Sequence, residues 1–202
     1  HIKLCSIGFH PTCLPKGRGR APLAWLILEK EKFGASTFFI MNEGVDDGSI
    51  LVSERFYLNP KDDAEIAYEK MLIAEGKALE RLLPKLHNYK SLAIEQDHNK
   101  ANYFGKRSLD DGNINWHKNV EEIECLIRAT TKPHPGAFTF QEKKKIIIWK
   151  ADVIEKNIRG IIGKILIIDN NCFVVQTGYG LLKVTKWECL NWYPRVGMQL
   201  GY

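Results

Sequence analysis

Long apolar runs are missing from this 202-residue chain: none approaches the roughly 20 residues that a bilayer-spanning helix needs, so the sequence offers no membrane span. Cysteine is present but never in a pattern. None of Cys5, Cys13, Cys125, Cys172 and Cys189 forms a C-x-x-C pair, and five is an odd number. Structural zinc sites draw on close-spaced ligand pairs and small secreted domains on even disulfide sets, so neither a metal site nor a disulfide framework is expected. Free thiols in a reducing, cytoplasmic setting fit instead. The N-terminus carries no signal-peptide signature. It also lacks an initiator Met and opens directly in an apolar run, which reads as a chain beginning part-way through a longer protein. No repeat or low-complexity segment is visible. The basic residues do not gather into the stripe that a dedicated nucleic-acid binder concentrates, and the net charge of +5 tolerates anionic partners without demanding one.

What is present is an ordinary globular composition, 45% apolar and 26% charged, in a length that allows one good core or two modest ones. Residues 2–9 form an apolar run closed by the breaker His10-Pro11, which predicts a buried strand. A loop rich in Pro, Gly and Arg follows, and Pro22 sits where a helix favours its first residue. Residues 35–41 are β-branched and aromatic, hence a second strand, ending in a turn-prone stretch over 42–48, with a third short strand at 50–52. Between Asp63 and Leu86 apolar residues recur at helical spacing (Ala67, Met71, Ala74, Ala78, Leu82, Leu86), with an Asp to cap the start. The polar stretch 87–102 reads as a boundary, giving domains at 1–98 and 99–202. Beyond it a short helix at 121–130 precedes five runs of strand character, at 137–140, 146–151, 163–168, 172–176 and 181–185. Short strands at this spacing predict a small antiparallel barrel or sandwich.

The chemistry concentrates near the start. His10 follows one apolar strand and Asp46 another, so both are expected at strand carboxyl ends, the edge where open α/β sheets bind ligands. A carboxylate beside an imidazole favours imidazolium, which can donate a hydrogen bond to a developing oxyanion. Lys16, Arg18 and Arg20 lie in the loop between; they serve either as anion contacts, for which arginine forks are suited, or as braces on neighbouring carbonyls and carboxylates. Gly17 and Gly19 suit the loop's backbone rather than a phosphate cradle, since no full P-loop pattern is present. Tyr103 and Phe104 are candidates to stack on a base or to pack internally; His134, Trp187 and Trp192 read as structural.

The stretch Gly8-Phe9-His10-Pro11-Thr12-Cys13-Leu14-Pro15-Lys16-Gly17-Arg18-Gly19-Arg20-Ala21-Pro22 closely resembles the H-P-x-x-L-P-x-x-R-G-R-A-P signature of the N10-formyltetrahydrofolate-dependent formyltransferases. Gly44-Val45-Asp46-Asp47-Gly48-Ser49-Ile50-Leu51 is similar to that family's G-V-D-x-G-x-I-L. Tyr103-Phe104-Gly105-Lys106-Arg107, Asp111-Gly112-Asn113-Ile114-Asn115-Trp116 and Pro133-His134-Pro135-Gly136 look like its linker and the start of its C-terminal domain. The resemblance implies the C-terminal part of a Rossmann-like α/β formyltransferase sheet, with the N-terminal half of the catalytic domain absent, followed by a small OB-like antiparallel β-domain. It implies catalytic roles for His10 and Asp46, contact of Gly44, Val45 and Asp47 with the co-substrate N10-formyltetrahydrofolate, and acceptor binding by Lys16, Arg18, Arg20 and Tyr103. Family members carry Asn-x-His where this chain has Gly8-Phe9-His10, so one oxyanion donor is missing. The sequence from Arg20 to Trp25 is most similar to members that formylate nucleotide-linked (UDP or dTDP) amino sugars. A methionyl-tRNA formyltransferase is the alternative partner reading, and a non-catalytic folate- or nucleotide-binding member a third. No membrane partner is expected; a homodimer is left open.

Overall fold

The structure is a computed structural model and describes residues 5–201. The chain divides into two compact units, with the boundary between Arg107 and Ser108. The boundary expected after residue 98 is therefore corrected. Residues 102–104 are hydrogen-bonded to the loop at 16–20 of the first unit and belong with it.

In the first unit β1 (Ile7–His10) leads through the two-residue β2 (Arg18–Gly19) into α1 (Pro22–Leu28), with Pro22 in the first turn as its missing N–H allows. Then come β3 (Phe33–Ile40), β4 (Ile50–Tyr57), α2 (Ala64–Leu82) and β5 (Tyr103–Phe104). Residues 2–4 of the predicted first strand lie outside the described residues. The Asp63 carboxylate caps α2 by accepting from Ile66 N–H, and Ala67, Met71, Ala74, Ala78 and Leu82 bury one stripe. The helix was expected to reach Leu86. It ends at Leu82 because Pro84 removes an N–H from the ladder, and Leu83–Ser91 continues as 3-10 turns.

The three-stranded sheet has the order β1-β3-β4 and both pairings are antiparallel. The Rossmann-like sheet that the resemblance implies is built from parallel strands, and these three are not. For β3 and β4 the connection decides it: only nine residues join them, and parallel neighbours need a crossover of a dozen or more. The third strand is also longer than expected, because the polar run Ser53-Glu54-Arg55 still pairs with Ala35, Ser36 and Thr37. One face of the sheet takes α2: Phe38 and Leu51 pack with Ala78 and Leu82, and the buried Ser36 hydroxyl donates to Met71 O.

The second unit opens with α3 (Val120–Thr130), started by a capping box in which Asn119 and Glu122 satisfy each other's backbone N–H groups. β6 (Ala137–Gln141), β7 (Lys144–Ile154), β8 (Ile165–Asp169), β9 (Cys172–Gln176) and β10 (Leu181–Glu188) form one antiparallel sheet in the order β6-β7-β10-β9-β8. Ile123 and Ile127 of the helix meet Ile146, Ile148, Phe173, Leu182 and Val184 of the sheet in one core. Trp192 and Trp187 pack edge-on against Phe173, and the buried Trp116 indole donates to Thr139 Oγ1 at 2.9 Å. All five predicted strands occur, within two or three residues at most ends.

Candidate active site

His10 ends β1 and is 4% exposed. Its Nε2 lies 2.7 Å from Gly17 O. A carbonyl only accepts, so Nε2 carries the hydrogen, and Nδ1 is the ring nitrogen left to take up or release a proton. That atom lies 3.4 Å from Asp46 Oδ2. Asp46 Oδ2 in turn accepts from Gly19 N–H at 2.8 Å. The two residues singled out in the sequence are thus together, but the route differs from the one expected. In the antiparallel pair His10 stands opposite Thr37, and the carboxyl end of β3 stands opposite Ile7. Asp46 therefore has to travel back by about three residues of strand, roughly 10 Å, to reach the imidazole. The loop 41–49 makes that return with Asp46 itself at φ 51°, a left-handed conformation that Asp tolerates better than most residues.

The loop 11–21 wraps the other side of His10. Gly17 (φ 71°) and Gly19 (φ 105°) are required by the backbone. A Cβ on Gly17 would lie 2.8 Å from the Phe104 ring, and one on Gly19 would strike the Phe104 carbonyl. The segment 96–104 clamps this loop: Asn102 accepts from Gly17 N–H with its side chain (2.6 Å) and from Arg18 N–H with its carbonyl (3.1 Å). Arg20 N–H donates to Phe104 O.

The remaining predicted residues separate into two groups. Arg18 is 1% exposed and its guanidinium donates to Gln96 Oε1, to the Tyr103 hydroxyl and to His98 Nδ1. Of the two roles open to it in the sequence, these contacts fit the brace, and anion contact has no donor face left to it on the surface. Lys16 and Arg20 are exposed. Tyr103 is 60% exposed, with its hydroxyl fixed by Arg18 and its ring 5.6 Å from that guanidinium. Phe104 instead stacks on Trp25, whose indole donates to Gly105 O. Gly44 and Val45 are exposed on the loop that carries Asp46, while Asp47 Oδ1 is buried without a hydrogen-bond partner.

Gly8 shares a face of β1 with His10, and the space a side chain would take there is filled. A Cβ on Gly8 would lie 2.7 Å from Phe39 Cζ and 3.1 Å from Met41 Cγ. Burial pushes the Cys13 thiol above its usual range, with Arg55 beside it pulling the other way. Gln96, Asn102 and Phe39 were not picked out in the sequence. Gln96 and Asn102 lie in an aperiodic polar stretch, and Phe39 reads as one more apolar strand residue. Among the described residues no group of three or more His, Cys, Asp or Glu could hold a metal ion, and no helix is long and apolar enough to cross a membrane.

Comparison with known proteins matches two family models in chain order: Formyl transferase over residues 1–83 and Formyl transferase, C-terminal domain, over residues 107–189. The methionyl-tRNA formyltransferase of Alkaliphilus oremlandii is 32% identical over 180 residues, covering 89% of this chain and 58% of that protein. The bifunctional polymyxin resistance protein ArnA of Wigglesworthia glossinidia brevipalpis is 38% identical over 151 residues, 75% of this chain and 23% of that protein. The chain thus spans well under two thirds of both relatives. The crystal structure of an N-formyltransferase from Helicobacter canadensis, in complex with folinic acid and dTDP-3-aminofucose, superposes with a TM-score of 0.69 at 19% identity, covering 90% of this chain and 66% of that one. That likeness establishes the fold.

Proposed function

Because this chain belongs to the formyl transferase family, we propose that it moves a formyl group from N10-formyltetrahydrofolate to the amino group of a nucleotide-linked amino sugar, UDP or dTDP. The observation that carries this reading is the pairing of the buried His10 with the half-buried Asp46, with Nδ1 and Oδ2 3.4 Å apart at a site walled by two loops. Formyl transfer asks the protein to take a proton from the attacking amine, to meet charge developing on the formyl oxygen and to hold both substrates close. Asp46 Oδ2 and His10 Nδ1 are the groups we assign to carry that proton from the amine to N10 of the tetrahydrofolate, which leaves as the bond between the formyl carbon and N10 breaks. Gly17 O keeps the hydrogen on Nε2 and so holds Nδ1 as the exchanging atom. Charge on the formyl oxygen is met by His10 Nδ1–H once it is protonated. Position 8, a glycine, contributes no side-chain donor, and Phe39 fills the space one would take.

A reduced folate fits the loop 44–48 by its donor set. The buried, partnerless Asp47 Oδ1 wants an N–H donor, and a pterin ring carries several. Gly44, Val45 and Asp47 are the residues we assign to it. Lys16 and Arg20, both exposed, are assigned to the diphosphate, and the Tyr103 ring to the base. Arg18 is withdrawn from that set.

The sugar reading rests on the Arg20–Trp25 motif, on the absence of a basic stripe and on the fold shared with a protein crystallised with a dTDP-linked sugar. The identity with a methionyl-tRNA formyltransferase supports the other acceptor. A parallel assay decides: the protein is given N10-formyltetrahydrofolate with a panel of UDP- and dTDP-linked amino sugars or with charged initiator tRNA, following tetrahydrofolate release. Sugar turnover with a shallow dependence on salt is expected. Turnover with tRNA alone, weakening steeply as salt rises, refutes the sugar reading. Folate binding without turnover on any acceptor refutes catalysis and leaves a binding protein.

A further inference from the structure

Segment 94–104 carries none of the groups proposed to move the proton, yet it holds the His10–Asp46 pair from behind. Ile94 fixes it to the start of β4 by two reciprocal backbone hydrogen bonds with Ile50, at 2.8 and 2.9 Å. Two residues on, Gln96 is 6% exposed. Its Nε2 donates to Asp46 O at 2.9 Å and to Gly48 O at 2.7 Å. Its Oε1 accepts from Arg18 Nε at 3.2 Å and from Arg18 Nη2 at 2.8 Å. A side-chain amide has two N–H donors and two acceptor lone pairs, so every position of Gln96 is used. The partners also fix its orientation. Turned over, it would set an oxygen against two carbonyls and an NH2 against a guanidinium.

Arg18 gives this arrangement its stiffness. It is 1% exposed, and among the described residues no carboxylate pairs with it. A buried guanidinium depends on each acceptor it has, and here these are the neutral atoms Gln96 Oε1, the Tyr103 hydroxyl at 2.9 Å and His98 Nδ1 at 3.3 Å. Arg18 therefore holds Gln96, and Gln96 holds the main chain of the one loop residue that sits in a left-handed conformation and faces His10.

We propose that Gln96, oriented by Arg18, is a positioning residue for the formyl transfer: by fixing the backbone of Asp46 and Gly48 it sets where Asp46 Oδ2 meets His10 Nδ1. This rests on the function proposed above. Gln96→Glu is the informative change. It keeps the size of the side chain and its acceptor for Arg18, and it removes both donors to the loop 44–48. The expected result is a loss on the order of 100-fold in kcat with little change in either KM, as for a modest misplacement of reacting groups. In 15N-histidine NMR spectra the His10 Nδ1 resonance and its pH titration should move. Gln96→Asn keeps the amide but shortens its reach, so it should lie between wild type and Gln96→Glu on both readouts; it serves in place of Gln96→Glu should that variant not fold. A folded variant with wild-type kcat and unmoved His10 resonances overturns the proposal, as does a loss confined to thermal stability. A wild-type protein that formylates no acceptor removes the proposed function instead, and the His10 resonances then still decide whether Gln96 sets the pair.

Discussion

Placing an asparagine at position 8 is an obvious attempt to complete the site, and the structure predicts that it fails for a reason of volume. Gly8 pairs with Phe39 across the β1–β3 ladder. The new Cβ alone would come within 2.7 Å of Phe39 Cζ and 3.0 Å of Cε1, before the amide is counted. Phe39 is 4% exposed, so its ring has little room to swing away. Overpacking of this kind costs about 1–3 kcal/mol. Replacing a strand glycine returns roughly 0.5–1 kcal/mol of backbone entropy. Gly8→Asn should therefore be destabilised by about 1–2 kcal/mol and should gain no activity. Phe39→Ala alone should cost about 3–5 kcal/mol through the cavity it leaves. In the double variant the clash is gone and the amide enters the vacated space, so the combined loss should fall short of the sum by about 1–2 kcal/mol. Urea denaturation of the four proteins, with the slope checked for constancy, measures the cycle. A Gly8→Asn protein as stable as wild type, or a cycle that is additive, refutes the claim that Phe39 occupies that place.

Other expectations follow from single contacts. Asp46→Asn keeps an acceptor for Gly19 N–H but loses the charge facing His10, and His10→Ala loses the proton carrier; each should lower kcat by about 100- to 10,000-fold with smaller effects on KM, read in steady-state kinetics. Loss of binding at unchanged kcat would contradict both roles. Thr139→Val leaves the buried Trp116 indole N–H without an acceptor and should lower stability by about 1–3 kcal/mol in urea, with the slope unchanged. The raised Cys13 thiol keeps its proton in the folded state to higher pH than the ordinary value of 9.0. The unfolded chain then ionises first, so stability falls as pH rises through about 9 toward the folded value and is unaffected below it. Cys13→Ser should remove that part of the alkaline loss, seen as a smaller drop in urea midpoint between about pH 8 and pH 10.

The secondary structure was readable where local chemistry decides it. Asp63 capping an apolar stripe gave α2, Pro22 gave the start of α1, and alternation in the second unit gave its five strands. The approach of His10 to Asp46 was readable because His10-Pro11 and Gly44-Val45-Asp46 are compact motifs. What escaped was everything set by pairing across distance. A strand's sequence does not state the direction of its neighbour, so antiparallel pairing was missed, and with it the backward course of the loop to Asp46. Gln96 and Asn102 carry no local signal because their partners, Arg18 and Gly17, lie 78 and 85 residues away. The same distance hid the true boundary: 102–104 lies in a stretch polar in composition but is bound to the loop at 16–20. For Arg18, the sequence shows a charge and only the fold shows that it is buried.

The late arrival of those clamps has a consequence for how the site comes into being. Contacts between residues so far apart in sequence are made late in folding, since the loop they close must first lose its freedom. During synthesis, β1, β3, β4 and α2 leave the ribosome with the residues that build their sheet and its α2-covered face already in hand. The loop at 16–20 and the carbonyls of Asp46 and Gly48 must wait for Gln96, Asn102 and Phe104. Until those residues emerge, Arg18 has no Gln96 oxygen to accept from it and no Tyr103 hydroxyl beside it, so a buried position for its charge is not yet tenable. The geometry of the proposed site is thus expected to be the last part of the first unit to set, and a nascent chain ended before residue 96 to hold a sheet without it.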